Sequence, residues 1–196
     1  MGSRQSDSQQ SGSRQTDSQQ VGSQQELLRL LQEAGQTVSF CESLTAGLVA
    51  ATFAEVPGAS TALRGGLVTY ATEVKVDLAG VDEAVIVEHG AVSAQCAEAM
   101  ARGARQRCTS DWALAVTGVA GPDEQDGHPV GEVWIGIAGP DGTVESVRAF
   151  NQQEQRECAG LSVSSPLEAR ARIRKDAVQR CFEVLILRLS QSLESK

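Results

Sequence analysis

The chain has few of the residues that usually bind metals or form disulfide frameworks. It contains two histidines, His89 and His128, and its five cysteines are widely spaced, with no C-x-x-C pair. Zinc sites are usually built from closely spaced cysteine and histidine ligands, so a zinc site is not expected. An odd number of scattered cysteines is also not typical of a disulfide-stapled secreted domain. We therefore predict reduced thiols, no metal site and a cytoplasmic protein.

Long apolar runs and excess positive charge are also lacking. No apolar run reaches the roughly 18 residues that a membrane-spanning helix needs, and no signal-peptide core begins the chain. The sequence has 17 lysines and arginines against 25 aspartates and glutamates, which gives a net charge of −8. Nucleic acids are bound mainly through Lys and Arg on phosphates, so we expect no nucleic-acid partner. What remains is an enzyme or a binding domain for a small molecule.

Residues 1–23 differ in composition from the rest of the chain. They are built mostly of Ser, Gln and Gly, and the run GSRQSDSQQ recurs almost unchanged as GSRQTDSQQ. Such a segment buries too little apolar surface to offset the entropy lost on ordering. We predict a disordered tail over 1–23 and one folded domain over 24–196, which is long enough for a substantial core.

Helical and strand patterns alternate through the domain until a hairpin and a long final helix. The predicted helices lie at about 24–34, 45–55, 73–78, 93–108 and 166–193. The predicted strands lie at about 37–41, 67–70, 112–116, 132–138 and 143–150. The polar, aperiodic stretch 151–164 is predicted to be a surface loop. This order of elements predicts an α/β fold, a three-layer α/β/α sandwich with a mixed β-sheet.

Three predicted loops follow strands, where ligand sites of such sheets lie. They cover residues 42–47, 70–75 and 117–123. The first places Ser43 between a strand and a helix, where its hydroxyl can meet free backbone N–H groups. We hypothesise that Ser43 is a nucleophile. The glycines of the third loop permit close backbone approach to a ligand, and a purely structural turn is the alternative.

A serine nucleophile needs a base to remove its proton. His89 and His128 lie in segments interpreted as surface, without an evident acidic partner, and G-x-S-x-G is absent around Ser43. Lys75 follows the second predicted strand, and burial near a helix start would favour its neutral form. From the residues alone, a histidine base and a solvated Lys75 both remain open.

Five motifs occur along the chain in a single order. They are ESLTAG, GGLVTY with Lys75 after it, HGAVS, VTGVAGPD and PVGEVWIGIA. Together they closely resemble the CinA C-terminal domain family, the nicotinamide mononucleotide deamidases. The resemblance covers about 27–138 well and the last helix loosely. It implies an α/β/α fold and a stand-alone form without the N-terminal domain of longer CinA proteins. It also implies hydrolysis of nicotinamide mononucleotide to nicotinic acid mononucleotide and ammonia, in pyridine nucleotide salvage.

The resemblance also implies a role for individual residues. Ser43 matches the family's nucleophile, and Tyr70 and Lys75 match its tyrosine and lysine. Lys75 would take the Ser43 proton, with Tyr70 as a relay or orienting group, and backbone N–H groups of 45–47 would stabilise the oxyanion. No cofactor is then needed, and the partner is the small-molecule substrate, with a homodimer expected from family precedent. Residues expected to bind or orient the substrate are Glu42, Thr45, Ala46, Gly47, Thr117 and Gly118.

Two departures from the family pattern bear on activity. Ala46 stands where the family has glycine, and the family's Gly-Asp-Arg segment before the last helix is missing. Arg170, Arg172 and Arg174 are candidates to supply the cation for the substrate phosphate, and a solvated helix face is the alternative. A catalytically weak relative that binds a pyridine nucleotide, or an amidohydrolase with another amide substrate, are the competing hypotheses.

Overall fold

The computed structural model describes residues 22–194. The tail predicted over 1–23 therefore lies, up to residue 21, outside the described residues, whereas 22 and 23 belong to the first helix. Within the described range, no helix combines the length and the apolar character that crossing a membrane requires.

Helices and strands alternate in the first half of the fold, as the sequence patterns predict. Helix α1 covers residues 22–34. The other helices are α2 (Leu48–Ala54), α3 (Thr72–Asp77), α4 (Glu83–His89), α5 (Ala94–Cys108), α6 (Gln152–Ser164) and α7 (Pro166–Glu194). The strands are β1 (Val38–Glu42), β2 (Leu63–Val68), β3 (Trp112–Gly118), β4 (Val133–Ala138) and β5 (Val144–Arg148).

The five strands form one mixed sheet in the order β2-β1-β3-β4-β5. Strand β1 pairs in parallel with both β2 and β3, while β4 runs antiparallel to β3 and β5. The predicted hairpin and mixed sheet are confirmed. Since the first three strands are parallel, their carboxyl ends lie at one edge of the sheet, and the loops that follow them meet there.

Each face of the sheet is covered by its own apolar cluster. On one face Phe40 of β1 packs edge-on against Phe53 of α2 and Phe182 of α7, with ring centroids 5.8 and 6.4 Å away. On the other face α5 packs through small side chains, including Ala97 and Ala101, which are fully buried. These clusters confirm the three layers, and helix α7 contributes buried apolar residues to the core, among them Val178, Phe182 and Leu185.

Helix α6 is the largest departure from the sequence-based prediction. The surface loop predicted over 151–164 is wrong, because Gln152–Ser164 are helical. The Asn151 side chain accepts hydrogen bonds from the N–H groups of Gln153 and Glu154, and Glu154 accepts from the Asn151 N–H in return. This capping box stabilises a helix that buries only Cys158 and Ser162, so its apolar periodicity is faint.

Smaller corrections concern where elements begin. Helix α2 begins at Leu48, three residues later than predicted, with Gly47 as its N-cap, and α3 begins at Thr72, one residue earlier than predicted. Strand β2 begins at Leu63, four residues earlier than predicted, and includes Gly66. A Cβ atom at Gly66 would lie 3.0 Å from the Ala50 Cβ, so the glycine allows α2 to pack closely on this edge strand.

Candidate active site

The loops after β1, β2 and β3 surround a cavity of about 110 Å³. The cavity lies at the carboxyl edge of the parallel strands, which is where the sequence patterns predict the site. Arg170, from the distant helix α7, also faces the cavity. Of the residues named from the sequence, the cavity lining includes Ser43, Tyr70, Lys75, Thr117 and Gly118.

Ser43 and Lys75 are in direct contact at the base of this cavity. The Lys75 Nζ lies 3.1 Å from the Ser43 Oγ, and the lysine is 2% exposed. The same amine donates to the carbonyl oxygens of Thr69 at 2.8 Å and Tyr70 at 3.3 Å. The turn after β2 brings the base back to the end of β1, because the two strands are parallel neighbours.

The surroundings of Lys75 favour its neutral form. Burial lowers the pKa of Lys75 below its ordinary value of 10.5, and weaker electrostatic effects of neighbouring groups oppose this shift. No carboxylate of the described residues forms an ion pair with its amine. A neutral amine has two N–H groups, which match the Thr69 and Tyr70 carbonyls, and one lone pair, which can accept the Ser43 proton. The geometry therefore suits Lys75 as a general base.

The two buried thiols near Lys75 do not compete with Ser43 as nucleophiles. Burial raises the pKa of Cys41 to about 12 and that of Cys96 to about 11. Both therefore remain protonated at neutral pH, when only the thiolate would react. All five cysteines are free, as the sequence predicts. Among the described residues, no group of histidine, cysteine, aspartate and glutamate side chains has an arrangement that could hold a metal ion.

Glu42 orients the turn that carries Ser43. Its buried carboxylate accepts hydrogen bonds from the N–H groups of Val49 at 2.9 Å and Ala50 at 2.8 Å. These are the free donors at the start of α2, where a negative charge is stabilised by the helix dipole. Glu42 thus ties the end of β1 to α2 without lining the cavity, and its carboxylate pairs with the free N–H groups at the start of that helix.

Arg174 of α7 contacts the same turn from outside. Its guanidinium donates from Nε to the Leu44 carbonyl at 3.0 Å and from Nη2 to the Thr45 carbonyl at 2.9 Å. These contacts orient two carbonyls away from the cavity. The sequence analysis named Arg174 as a candidate phosphate ligand, but its guanidinium contacts the backbone of the Ser43 turn instead. The Thr45 hydroxyl is buried and has no hydrogen-bond partner in the described part of the chain.

Backbone N–H groups of the turn are partly available for an oxyanion. The Ala46 N–H donates to the Ser43 carbonyl at 3.1 Å, which removes it from the set predicted over 45–47. Across the described residues, the N–H groups of Leu44, Thr45 and Gly47 donate to no protein acceptor. Leu44 is a donor that sequence reasoning missed, since only the folded turn shows which N–H groups remain unpaired.

The Tyr70 side chain contributes differently from the relay predicted for it. Its hydroxyl bonds to the Arg170 Nη2 at 2.9 Å, and no hydrogen bond of the described residues links it to Ser43 or Lys75. The Tyr70 main-chain carbonyl is what orients Lys75. Arg170 also donates from Nη1 to the Gly121 carbonyl at 2.6 Å, so one guanidinium contacts two walls of the cavity.

Thr117 and Gly118 form the wall at the end of β3. Thr117 is 1% exposed and donates from its hydroxyl to the Ala91 carbonyl at 2.7 Å. A Cβ atom at Gly118 would lie 2.4 Å from the Glu132 carbonyl oxygen, so only glycine fits between β3 and β4.

Several candidates named from the sequence lie outside the cavity. Ala46 is exposed on the turn with φ of +53°, a left-handed conformation that costs a residue with a Cβ about 1 kcal/mol. Arg172 pairs with Asp176 at 3.4 Å on the exposed side of α7. His128 lies 3.2 Å from Glu132, so the expectation that it has no acidic partner is wrong, but it does not line the cavity.

Comparison with known proteins agrees with the motif pattern. Residues 21–172 match the model of a family described as the CinA C-terminal domain. A CinA-like protein of Frankia casuarinae is 53% identical over 123 residues, which are 62% of this chain and 28% of the relative. A CinA-like protein of Parasynechococcus marenigrum is 43% identical over 131 residues, 66% of this chain and 31% of the relative. The chain thus spans about a third of the length of these curated relatives.

Solved structures with the same fold cover nearly the whole domain. The competence/damage inducible protein CihA from Agrobacterium tumefaciens is 30% identical with a TM-score of 0.72, over 86% of this chain and 94% of that one. A CinA superfamily protein from Klebsiella pneumoniae has a TM-score of 0.74 at 24% identity, over 88% and 98% of the two chains. At 24% identity, the similarity to the Klebsiella pneumoniae protein shows a shared fold.

The left-handed conformation of Ala46 predicts a stabilising substitution. We expect Ala46→Gly to raise the melting temperature by about 2–4 °C, because glycine adopts positive φ without the Cβ penalty. Ala51→Gly, at an exposed position within α2, is the matched control and should lower the melting temperature. Thermal unfolding followed by circular dichroism measures both, and an equal loss for the two variants would contradict the strain at Ala46.

The contacts of Arg174 predict that substituting this residue lowers activity without unfolding the protein. Arg174→Met keeps much of the apolar stem but removes the donors to Leu44 and Thr45, so the Ser43 turn should lose its orientation. We expect the kcat of the Ser43-dependent reaction hypothesised from the sequence to fall by about 10- to 100-fold, since small displacements of a nucleophile have such effects. Arg172→Met is the matched control on the exposed side of the helix. Equal kcat for the two variants would refute the contribution of Arg174.

Proposed function

The chain belongs to the CinA C-terminal domain family, and from this premise we propose that it hydrolyses the carboxamide of nicotinamide mononucleotide. The products are nicotinic acid mononucleotide and ammonia. The observation that carries the proposal is the 3.1 Å contact between the Ser43 hydroxyl and the buried amine of Lys75. A serine beside a desolvated lysine is an arrangement suited to acyl transfer from an amide.

The first half of the proposed reaction is acylation of Ser43. Neutral Lys75 accepts the hydroxyl proton while the Ser43 Oγ attacks the carboxamide carbon. The negative charge that develops on the carbonyl oxygen is stabilised by the free N–H group of Leu44, which lines the cavity, an effect worth about 3–4 kcal/mol per donor in comparable sites. The Lys75 ammonium then donates its proton to the departing nitrogen. Ammonia leaves, and the pyridine carbonyl remains as an ester on Ser43.

The second half is hydrolysis of this ester. Lys75 is neutral again once ammonia has left, and it removes a proton from an incoming water molecule. The resulting attack on the ester carbon releases the carboxylic acid, and Lys75 returns the proton to the Ser43 oxygen. The carbonyls of Thr69 and Tyr70 keep the amine in place throughout, because they accept its other hydrogens in either protonation state.

The phosphate of the substrate is assigned to Arg170. Of the three arginines named from the sequence, Arg170 lines the cavity. Arg172 pairs with Asp176, and Arg174 contacts the Ser43 turn. An arginine presents a planar pair of donors that matches phosphate oxygens. Gly121 and Tyr70 contact this guanidinium through neutral oxygens.

A protein that binds the nucleotide but turns it over weakly is the second candidate function. The observation that favours it is the left-handed conformation of Ala46, three residues from Ser43. A strained turn can misplace the nucleophile or the oxyanion donors. Both candidates predict nucleotide binding, and they differ only in the release of ammonia.

Two substitutions test the enzyme. We expect Ser43→Ala to abolish ammonia release from nicotinamide mononucleotide and Lys75→Met to reduce kcat by about 10²- to 10⁴-fold, the usual contribution of a general base. Lys175→Met, at an exposed position of α7, is the matched control and should retain the rate. Coupled detection of ammonia measures the rate, and calorimetry measures binding. Binding by the unmodified protein without ammonia release would favour the second candidate, and a normal rate in Lys75→Met would exclude that base.

The lowered pKa of Lys75 predicts how activity depends on pH. The base must be neutral, so kcat/KM should rise with pH as Lys75 deprotonates, with the rise centred below the ordinary lysine value of 10.5. Burial disfavours the charged form, which is why the midpoint moves down rather than up. Initial rates between pH 5 and 10 would show the midpoint. A rate independent of pH across this range would contradict the assignment.

A further inference from the structure

A hydrogen bond on the solvent-exposed side of the cavity joins two of its lining side chains. The Tyr70 hydroxyl, after β2, meets the Arg170 Nη2 of α7 at 2.9 Å. The other terminal nitrogen of Arg170 contacts the Gly121 carbonyl on the loop after β3. The guanidinium therefore joins elements that enter the site from different parts of the sheet.

The cavity behind this contact is too small for the proposed substrate. Its volume is about 110 Å³, whereas pockets that enclose a ligand usually have about 300 Å³ or more. Full enclosure of a pyridine ring, a ribose and a phosphate would therefore require one wall to move.

The Tyr70 side chain is held less firmly than the Ser43 turn and Thr117, which form other parts of the cavity wall. The Ser43 turn is fixed by Glu42 and Arg174, and Thr117 is buried with its hydroxyl bonded to a carbonyl. The Tyr70 side chain is 56% exposed, and its hydroxyl has the bond to Arg170 as its contact. An exposed aromatic side chain can change rotamer without disturbing the sheet.

Arg170 is oriented for a stronger acceptor than the one it has. Its guanidinium bonds to a carbonyl and a phenol, and within the described part of the chain no carboxylate pairs with it. Arginine binds a phosphate through shorter, charge-assisted hydrogen bonds, which are about twice as strong as neutral ones. A phosphate that reaches the mouth would thus displace the Tyr70 hydroxyl.

We propose that Tyr70 closes the cavity by occupying Arg170, and that the phosphate of the substrate opens it by taking Arg170 in its place. The inference rests on the proposed function for the identity of the substrate. Arg170 then has two opposing effects on binding. It lowers the affinity of every ligand by favouring the closed state, and it raises the affinity only of ligands that carry a phosphate. A nucleoside without a phosphate must break the hydrogen bond between Tyr70 and Arg170, and it forms no new bond to Arg170 in its place.

Removal of the guanidinium separates these effects. Binding is measured by calorimetry on the full chain carrying Ser43→Ala, which prevents turnover. We expect Arg170→Gln to lower the affinity for nicotinamide mononucleotide by about tenfold or more. The same substitution should raise the affinity for the corresponding riboside by several-fold. Arg172→Gln, which removes an equal charge from the exposed side of α7, should change neither. Weakening of both ligands would overturn the proposal, and so would an unchanged riboside affinity.

Removal of the hydroxyl tests the closed state itself. Tyr70→Phe keeps the ring and frees Arg170, so inorganic phosphate, used as the probe, should bind several-fold more tightly than to the unmodified protein. An unchanged or lower phosphate affinity would overturn the proposal. The phosphate-binding experiment requires neither a pyridine ligand nor turnover. If phosphate responds as expected but the mononucleotide is not hydrolysed, the proposed function fails and the exchange at Arg170 stands.

Discussion

The site depends on the burial of one amine that has no carboxylate partner among the described residues. Lys75 is among the largest fully buried side chains, and the groups around its nitrogen are carbonyl oxygens and the hydroxyl of Ser43. A nearby carboxylate would hold the lysine in its charged form, whereas desolvation works against that charge. The parallel pairing of β1 with β2 is what makes the contact possible, because it places the end of each strand beside the other.

The Ser43 turn is fixed by residues distant in sequence. Glu42 bonds to the first turn of α2, and Arg174 reaches from α7 to two carbonyls on the opposite side. The final helix therefore has two functions: one face completes the core, and its first turns carry Arg170 and Arg174 to the site. Helix α6 adds to this arrangement, since the Ser162 hydroxyl donates to the Pro122 carbonyl in the loop after β3.

The chain matches about a third of its curated relatives' length, so the family establishes the domain and not the activity of those longer proteins. What supports the proposed amide hydrolysis is local. One cavity is lined by a nucleophile, a base with a depressed pKa, Leu44 with its unpaired N–H, and Arg170, which has no ion pair among the described residues. The proposed acyl transfer, from a phosphate-bearing amide to Ser43, would use these parts, whatever names the relatives carry.

Much of this could be predicted from the sequence, because local patterns encode it. The strand, turn and small-residue helix around Ser43 indicated a strand-end site, and alternation with a late hairpin indicated the mixed sheet. Helix α6 could not be predicted from periodicity, because it packs on α7 and a loop and shows only two buried positions. The Asn151 and Glu154 spacing was the available signal, and it was missed.

The sequence by itself determined the order of the elements, the candidate nucleophile and the scarcity of bases, since these follow from residue identity and spacing. Only the tertiary structure decided which lysine contacts the serine and which arginine faces the cavity. It also decided that the Tyr70 carbonyl, rather than its hydroxyl, meets the base. The Tyr70–Arg170 contact joins residues 100 positions apart, and the Ser43–Lys75 contact joins residues 32 positions apart. They depend on strand order and helix placement, which no local pattern specifies.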